Sequence, residues 1–258
     1  MNGEFIADRK IEKILENLCV EHTITHESFS SGWVHVFQKG GKTSRLLGYK
    51  WSLNDSAASG IAGDKVAAYE VLSSAKVSVI QHVLLRTKVD FEPHWPAKIP
   101  ESFVLKPLTG TSGRGITLCH SKAEAEQYIL QQKIAEWAIS PYYEIKQEIR
   151  MIMLDDECLL AYDKQQPQVK NGLKFFNLGA GAHPVDIKPT NEQSQLAQQS
   201  MKAIGLRLAA VDLVSVDDGW EVLEVNDGFM MEHYLRESER NYETSKALYE
   251  KVLLASLA

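Results

Sequence analysis

The sequence predicts an α+β fold, on three observations. Strand-like runs crowd the middle of the chain. Helical patterns are interspersed without a regular βαβ alternation. A stretch with three prolines, residues 88–100, reads as a linker between lobes.

In order along the chain, residues 7–20 read as a helix with Ile11, Ile14, Leu15 and Leu18 on one face. Two strand-like runs follow, Trp33–Phe37 and Ser44–Tyr49, with Gly40-Gly41 as the turn between them. Residues 52–63, rich in Ser, Ala, Asn and Gly, read as a loop. Asp64 is an N-cap for a helix through about Ser74, and Val77–Ile80 then reads as a strand. Ser102–Pro107 is a strand, Gly110–Gly115 a glycine loop and Ile116–Cys119 another strand. Ser121 with Glu124 forms a capping box for a helix to about Gln132. Ile134–Ile139, Ile145–Leu154 and Cys158–Tyr162 read as strands. Thr190 with Gln193 makes a second capping box, and Gly205 is a natural helix stop. Leu208–Val216 and Trp220–Val225 form a hairpin around Asp217-Asp218-Gly219, and a last helix runs roughly from Glu239 to Leu254.

Composition bounds the function. Of 258 residues, 44% are hydrophobic and 24% charged, ordinary values for a soluble globular protein. The net charge of -6, with no block of five or more like charges, argues against nucleic-acid binding through a basic face. No apolar run approaches the ~20 residues of a membrane span, and the polar first twenty residues do not read as a signal peptide. Cys19, Cys119 and Cys158 are scattered singly, as reduced packing residues of a cytoplasmic protein would be.

Two stretches carry chemistry. Lys106-Pro107-Leu108-Thr109-Gly110-Thr111-Ser112-Gly113-Arg114-Gly115 can turn backbone N–H groups around an anion. It is neither a Walker A loop nor a dinucleotide fingerprint, because no Lys-Ser or Lys-Thr follows and a strand comes where a helix should begin. An ordinary glycine-rich hairpin is the blander reading. The second stretch is the late hairpin. A three-residue loop ending in a left-handed Gly219 pairs Val216 with Trp220, and counting back sets Asp212 opposite Glu224, with Asn226 on the same face. Opposed carboxylates repel, and a hard divalent cation removes the repulsion; two carboxylates and an amide oxygen suit Mg²⁺. The blander reading is a surface hairpin whose acids face water.

In this order, the two stretches resemble the ATP-grasp superfamily, in the pattern of ribosomal-protein glutamate ligases, glutathione synthetases and D-alanine–D-alanine ligases, over about Asp64 to Asn226. The resemblance implies an ATP-grasp fold: two α+β lobes gripping the nucleotide (64–135 and 136–258) after a short N-terminal lobe (1–63). It implies that Lys65 and Lys106 contact the phosphates and that Gly110, Thr111, Ser112, Gly113, Arg114 and Gly115 close over them. Glu136, Trp137, Ala138 and Ile139 fall at the adenine hinge, and Glu144, with Glu148 in reserve, at the ribose. Asp212, Glu224 and Asn226 match the order of the magnesium ligands, with manganese a possible substitute. Two departures stand out. Where the glutamate ligases carry an arginine before an asparagine-leucine pair, this chain has Lys174-Phe175-Phe176-Asn177-Leu178, so Lys174 would serve with Asn177 at the acyl phosphate. Ser140-Pro141-Tyr142-Tyr143 follows the hinge as an unusual insertion.

The implied activity is an ATP-dependent ligase. It phosphorylates a small-molecule or peptide carboxylate and passes the acyl group to an amine or thiol, so positioning and charge neutralisation dominate. Arg150 is a candidate for the carboxylate or acyl-phosphate contact, because guanidinium binds planar oxyanions in a fork; a salt-bridging arginine is the plain alternative. A small-molecule kinase and a nucleotide-binding regulator are the competing classes. His183 and His233 read as structural, Met230-Met231 as packing, and Tyr142-Tyr143 as core aromatics or adenine-pocket lining.

Overall fold

The structure is a computed structural model that describes residues 8–86, 95, 99–110, 113–132, 134–217 and 219–258. The chain opens with α1 (Lys10–Glu21), whose Ile11, Ile14, Leu15 and Leu18 form the buried stripe that the spacing predicts. An antiparallel four-stranded sheet follows: β1 (Thr25–Phe29), β2 (Val34–Lys39), β3 (Lys42–Leu47) and β4 (Lys50–Trp51). Gly40 and Gly41, at φ +57° and +79°, make the two-residue turn between β2 and β3.

Residues 52–63 are not a loop throughout. Asp55 accepts hydrogen bonds from the Ala57 and Ala58 amides and starts helix α2 (Ser56–Gly63), so a good N-cap outweighs a Gly- and Ser-rich composition. Asp64 caps α3 (Lys65–Ser74) in the same way. Val77–Ile80 is extended but forms no strand of its own: Val79 makes a single parallel bridge to Val222.

A second antiparallel sheet, ordered β5-β8-β6-β7, contains β5 (Val83–Arg86), β6 (Phe103–Pro107), β7 (Thr117–Cys119) and β8 (Glu136–Pro141). Helix α4 (Lys122–Leu130) covers it with Ala125 and Ile129. The expected capping box is half present. Ser121 accepts from the Glu124 amide, but the Glu124 carboxylate turns to the His120 amide instead. Because β8 pairs along its length with β6, residues 136–141 go with the glycine-loop sheet. Most of the expected linker, 88–94 and 96–98, lies outside the described residues.

The third sheet positions the chemistry. Its order is β13-β10-β9-β14-β15, from β9 (Gln147–Leu154), β10 (Glu157–Gln165), β13 (His183–Asp186), β14 (Leu208–Val216) and β15 (Gly219–Asn226). A small hairpin, β11 (Gln168–Lys170) and β12 (Leu173–Phe175), lies between β10 and β13 in sequence. Alternation divides the side chains of the large sheet. Ile149, Met151, Met153, Ala209 and Val211 pack against α2, α3 and α5 (Asn191–Ile204), the last with its full capping box at Thr190 and Gln193. On the opposite face Ile152, Leu154, Tyr162, Leu208 and Ala210 meet α1, the N-terminal sheet, α6 (Glu232–Arg236) and α7 (Glu239–Ala255) in one core. Beyond that core the same face turns polar, and there the cleft lies.

The β14–β15 hairpin reaches its pairing by a different route from the one counted. Val216 pairs with Gly219, so the turn has two residues, and Asp217 rather than Gly219 holds the positive φ, +46°. That shifts the register by one. A β-bulge between Asp212 and Leu213 then absorbs Leu223 and restores Asp212 opposite Glu224.

Candidate active site

A row of directly opposed residues crosses four strands: Tyr162 faces Arg150, Arg150 faces Asp212, and Asp212 faces Glu224. Arg150 grips Asp212 with a fork, Nε to Oδ1 at 2.8 Å and Nη2 to Oδ2 at 2.6 Å. Lys164 Nζ lies 3.0 Å from the same carboxylate and also pairs with Glu148. Burial alone would raise the Asp212 carboxyl, but Arg150 and Lys164 outweigh it and hold it well below the usual carboxylate range. Arg150 thus takes the salt-bridging role while still lining the cleft. Glu148 is buried, whereas Glu144 projects outward and pairs with Lys174 at 3.6 Å.

Glu224 differs from Asp212. It lines the cleft, accepts a hydrogen bond from Asn226 Nδ2 at 3.0 Å, and among the described residues forms no ion pair. The bulge explains its exposure. Leu223 and Glu224 are consecutive yet both line the cleft, while Val222 and Val225 stay in the core.

Opposite stand two lysines. Lys65, first residue of α3, directs Nζ toward the carbonyls of Leu108 and Gly110 at 3.5 and 3.2 Å. Lys106, on β6, is 9% exposed and donates to His82 Nε2 at 3.0 Å. Neither forms an ion pair among the described residues. Burial lowers both ammonium groups, Lys106 to about 8, with Glu224 pulling the other way. An uncompensated buried charge is unstable unless something anionic joins it.

The cleft has two joined parts that share Lys65, Lys106, Gly113, Ile116, Asn177 and Glu224. One part is lined by Ile80, Val104, Tyr142, Tyr143, Ile145 and Phe175, a flat apolar slot. The other carries Arg114, Arg150, Lys164 and Asn226, so cations dominate it. Gly113 and Gly115 have φ of +69° and +71°, and a Cβ on Gly113 would sit 3.0 Å from Asn177 Nδ2. The glycine loop therefore lies against the Asn177 segment. Thr111 and Ser112 lie outside the described residues.

Several expected site residues sit elsewhere. Trp137, Ala138 and Ile139 are buried side chains of the β8 sheet, and Glu136 pairs with Arg86 at 3.0 Å. None of the four lines the cleft. The chain reaches it only at Ser140-Pro141-Tyr142-Tyr143, because β8 runs on to Pro141 in register with Phe103. Lys174 lines the slot, but its Nζ donates to the Ile145 carbonyl at 3.1 Å. Met231 is core, as read, whereas Met230 and His233 line the cationic part, and His233 Nε2 is buried without a hydrogen-bond partner. Tyr49 reaches the same part from the N-terminal sheet, also with an unpartnered hydroxyl. Lys50 secures that approach by pairing with Asp227 at 2.7 Å.

This strand–loop–strand cover over an acidic hairpin defines an ATP-grasp domain. Residues 62–247 match the model of the RimK-like ATP-grasp domain, and the chain belongs to that family. A probable alpha-L-glutamate ligase of Stutzerimonas stutzeri is 30% identical over 186 residues, covering 67% of this chain and 58% of the relative. The chain thus spans under three-fifths of that relative's length. Among solved structures, D-alanine–D-alanine ligase from Bacillus anthracis complexed with ATP aligns with a TM-score of 0.59 at 19% identity, over 79% of this chain and 69% of that one. A bifunctional glutathione synthetase from Pasteurella multocida gives a TM-score of 0.59 at 16% identity, covering 94% of this chain and 43% of that one. These likenesses show the ATP-grasp fold. No helix among the described residues is long and apolar enough to cross a membrane.

Proposed function

We propose that this chain is an ATP- and Mg²⁺-dependent ligase that activates a carboxylate as its acyl phosphate, joins it to an amine, and releases ADP and phosphate. The observation that carries the reading is the pair of lysines, half-buried Lys65 and buried Lys106, that meet at one cleft without an ion-pair partner among the described residues. Nucleotide phosphates supply the missing charge. Adenine fits the slot beside Ser140–Tyr143, with Tyr142 and Tyr143 as walls and Glu148, rather than the outward Glu144, nearer the ribose.

Asp212, Glu224 and Asn226 could offer oxygens to a hard ion such as Mg²⁺ or Mn²⁺, Asn226 once its amide turns so that the oxygen rather than Nδ2 faces Glu224. When bound, the ion would neutralise charge on the phosphates. Glu224 is the carboxylate left available for it, since Arg150 and Lys164 already occupy Asp212. The γ-phosphate passes to a substrate carboxylate held in the cationic part, where Arg114 and Arg150 favour planar anions. The amine then attacks the acyl carbon, the C–N bond forms as the acyl C–O bond breaks, phosphate leaves with that electron pair, and the nitrogen gives up a proton to the departing phosphate or to water. Asn177 and the glycine loop close over this step and exclude water. Residues 64–258 would form the gripping lobes, with residues 1–63 contributing Tyr49 to the acceptor end. The acidic chain is not expected to engage nucleic acid, and a cytoplasmic setting suits its reduced thiols.

The test is substrate-dependent ADP release with L-glutamate, other amino acids, short peptides and small carboxylates. A ligase releases phosphate only when both substrates are present. A stable phosphorylated product from one substrate alone would make the protein a kinase, and absence of nucleotide binding would end the reading altogether.

A further inference from the structure

His82 is 3% exposed, lines the cleft, and falls in the chain between the Val79–Val222 bridge to β15 and the start of β5. Its Nδ1 lies 2.9 Å from the Ile80 carbonyl, and its Nε2 lies 3.0 Å from Lys106 Nζ. A carbonyl only accepts, so Nδ1 carries the proton and Nε2 presents a lone pair to the ammonium. The alternative, an imidazolium against a lysine, is opposed first by burial and then by the Lys106 charge, which together push the imidazole well below its usual range. The connection continues on the other side. The Ile80 amide donates to the Val222 carbonyl at 2.9 Å, and Val222 lies on β15, the strand of Glu224 and Asn226. A continuous run of hydrogen bonds therefore links the acidic strand to the lysine across the cleft: Val222, Ile80, His82, Lys106.

We infer that His82 is a positioning residue. As a neutral acceptor it aims the Lys106 ammonium at the nucleotide phosphates and sets the spacing between that lysine and the acidic hairpin. A lysine side chain has four rotatable bonds and, in a mostly apolar enclosure, would otherwise turn toward backbone carbonyls, as Lys65 does. A carboxylate in place of His82 would hold Lys106 more tightly, but it would neutralise the charge the phosphates need. A neutral acceptor orients the ammonium and leaves its charge intact. That distinction is the chemical reason for a histidine here.

The inference rests on the nucleotide reading of the cleft, and the experiment separates the two. ADP affinity is measured by calorimetry, with and without Mg²⁺, for the parent, His82→Leu and His82→Gln. Glutamine offers an amide oxygen near the Nε2 position, and leucine offers no acceptor. Losing a hydrogen bond to a charged group should raise the Kd for ADP about tenfold or more in His82→Leu, while His82→Gln stays within about threefold of the parent. Nitrogen NMR of the parent's imidazole should show the proton on Nδ1 and a bare Nε2, and this measurement decides the matter if the leucine variant does not fold. A leucine variant with parental ADP affinity, or an imidazole protonated on Nε2, overturns the role of His82 alone. A parent that binds no ADP overturns the nucleotide reading, and the inference with it.

Discussion

Asp212 and Glu224 face each other across β14 and β15, yet only Asp212 has cationic partners. Arg150 and Lys164 enclose the first carboxylate on the sheet side, and the second is left toward the cleft with Asn226. The two acids of one hairpin therefore divide the work. One anchors the row of charges across the sheet, and the other is free to meet a ligand.

The anchoring half predicts a stability effect. Arg150→Met leaves Asp212, which is fully buried, with Lys164 as its remaining partner. Breaking a buried pair from one side is expected to lower the unfolding free energy by about 3 kcal/mol. Urea denaturation measures it. A variant as stable as the parent would show that Lys164 alone suffices.

The ligand-facing half predicts the opposite pattern. Glu224→Gln keeps the size and removes the charge, so apo stability should change little: repulsion with Asp212 is relieved, and the attraction to Lys65 and Lys106 is lost. Melting temperature is compared for each protein alone, with ADP, and with ADP plus Mg²⁺. The parent should gain from Mg²⁺ beyond ADP, because metal and nucleotide complete one another's site, and the variant should lose that gain. A parent indifferent to Mg²⁺ would sink the metal assignment.

Proton linkage follows from Lys106. Burial brings its ammonium to about 8 in the free protein, and phosphate binding must raise it again. At pH 8 the free lysine is about half deprotonated, so ADP binding should draw roughly half a proton onto Lys106 there and very little onto it at pH 6. ADP affinity should therefore fall as pH rises above about 8, where Lys106 loses its charge. Titration calorimetry in two buffers of different ionisation enthalpy gives the uptake directly. Equal heats in both buffers at pH 8 would mean that Lys106 stays fully charged without nucleotide or lies outside the phosphate site.

The glycine loop gives a steric prediction. At Gly113 φ is +69°, and a Cβ would meet Asn177 Nδ2 at 3.0 Å and Phe175 Cδ1 at 3.2 Å. Gly113→Val combines a forbidden backbone region with a branched side chain, a strain of about 1–3 kcal/mol. ADP affinity should drop about tenfold or more, and the melting temperature should fall by several degrees while the protein stays folded at the assay temperature. Parental affinity in this variant would make the loop an ordinary turn.

Much of this site was legible because it rests on local rules. Asp64, Thr190 and Gln193 are capping residues that act within one turn, and the Asp212–Glu224 pairing follows from counting along a hairpin. That count was right through two compensating departures, a two-residue turn and a bulge at Leu223, and neither leaves a sequence mark as plain as a glycine. The β11–β12 hairpin was readable and was missed. Asn171-Gly172, with φ of +50° and +77°, is the strongest short-range hairpin signal a sequence offers. Asp55 likewise marked α2. Lys164 and His82 were not legible. Their roles come from contacts between segments distant in sequence: Lys164 meets Glu148 and Asp212 across neighbouring strands, and His82, just before β5, meets Lys106 on β6. Glu136–Ile139, expected at the hinge, stay away from the cleft for a related reason: the strand length of β8 is set by its pairing with β6, not by its own residues.

The core that joins α1 to α7 has a consequence for biosynthesis. Ile11, Ile14, Leu15 and Leu18 share their burial with Leu248, Tyr249, Val252 and Leu253, which leave the ribosome long after them. Until α7 emerges, the apolar stripe of α1 has only part of its cover, and the nascent chain must carry that stripe through the synthesis of every strand of the large sheet. Contacts so distant in sequence slow folding and prolong the exposure of sticky surface. A ribosome stalled before residue 239 should therefore hold a chain whose α1 is still open to protease or to a holding chaperone.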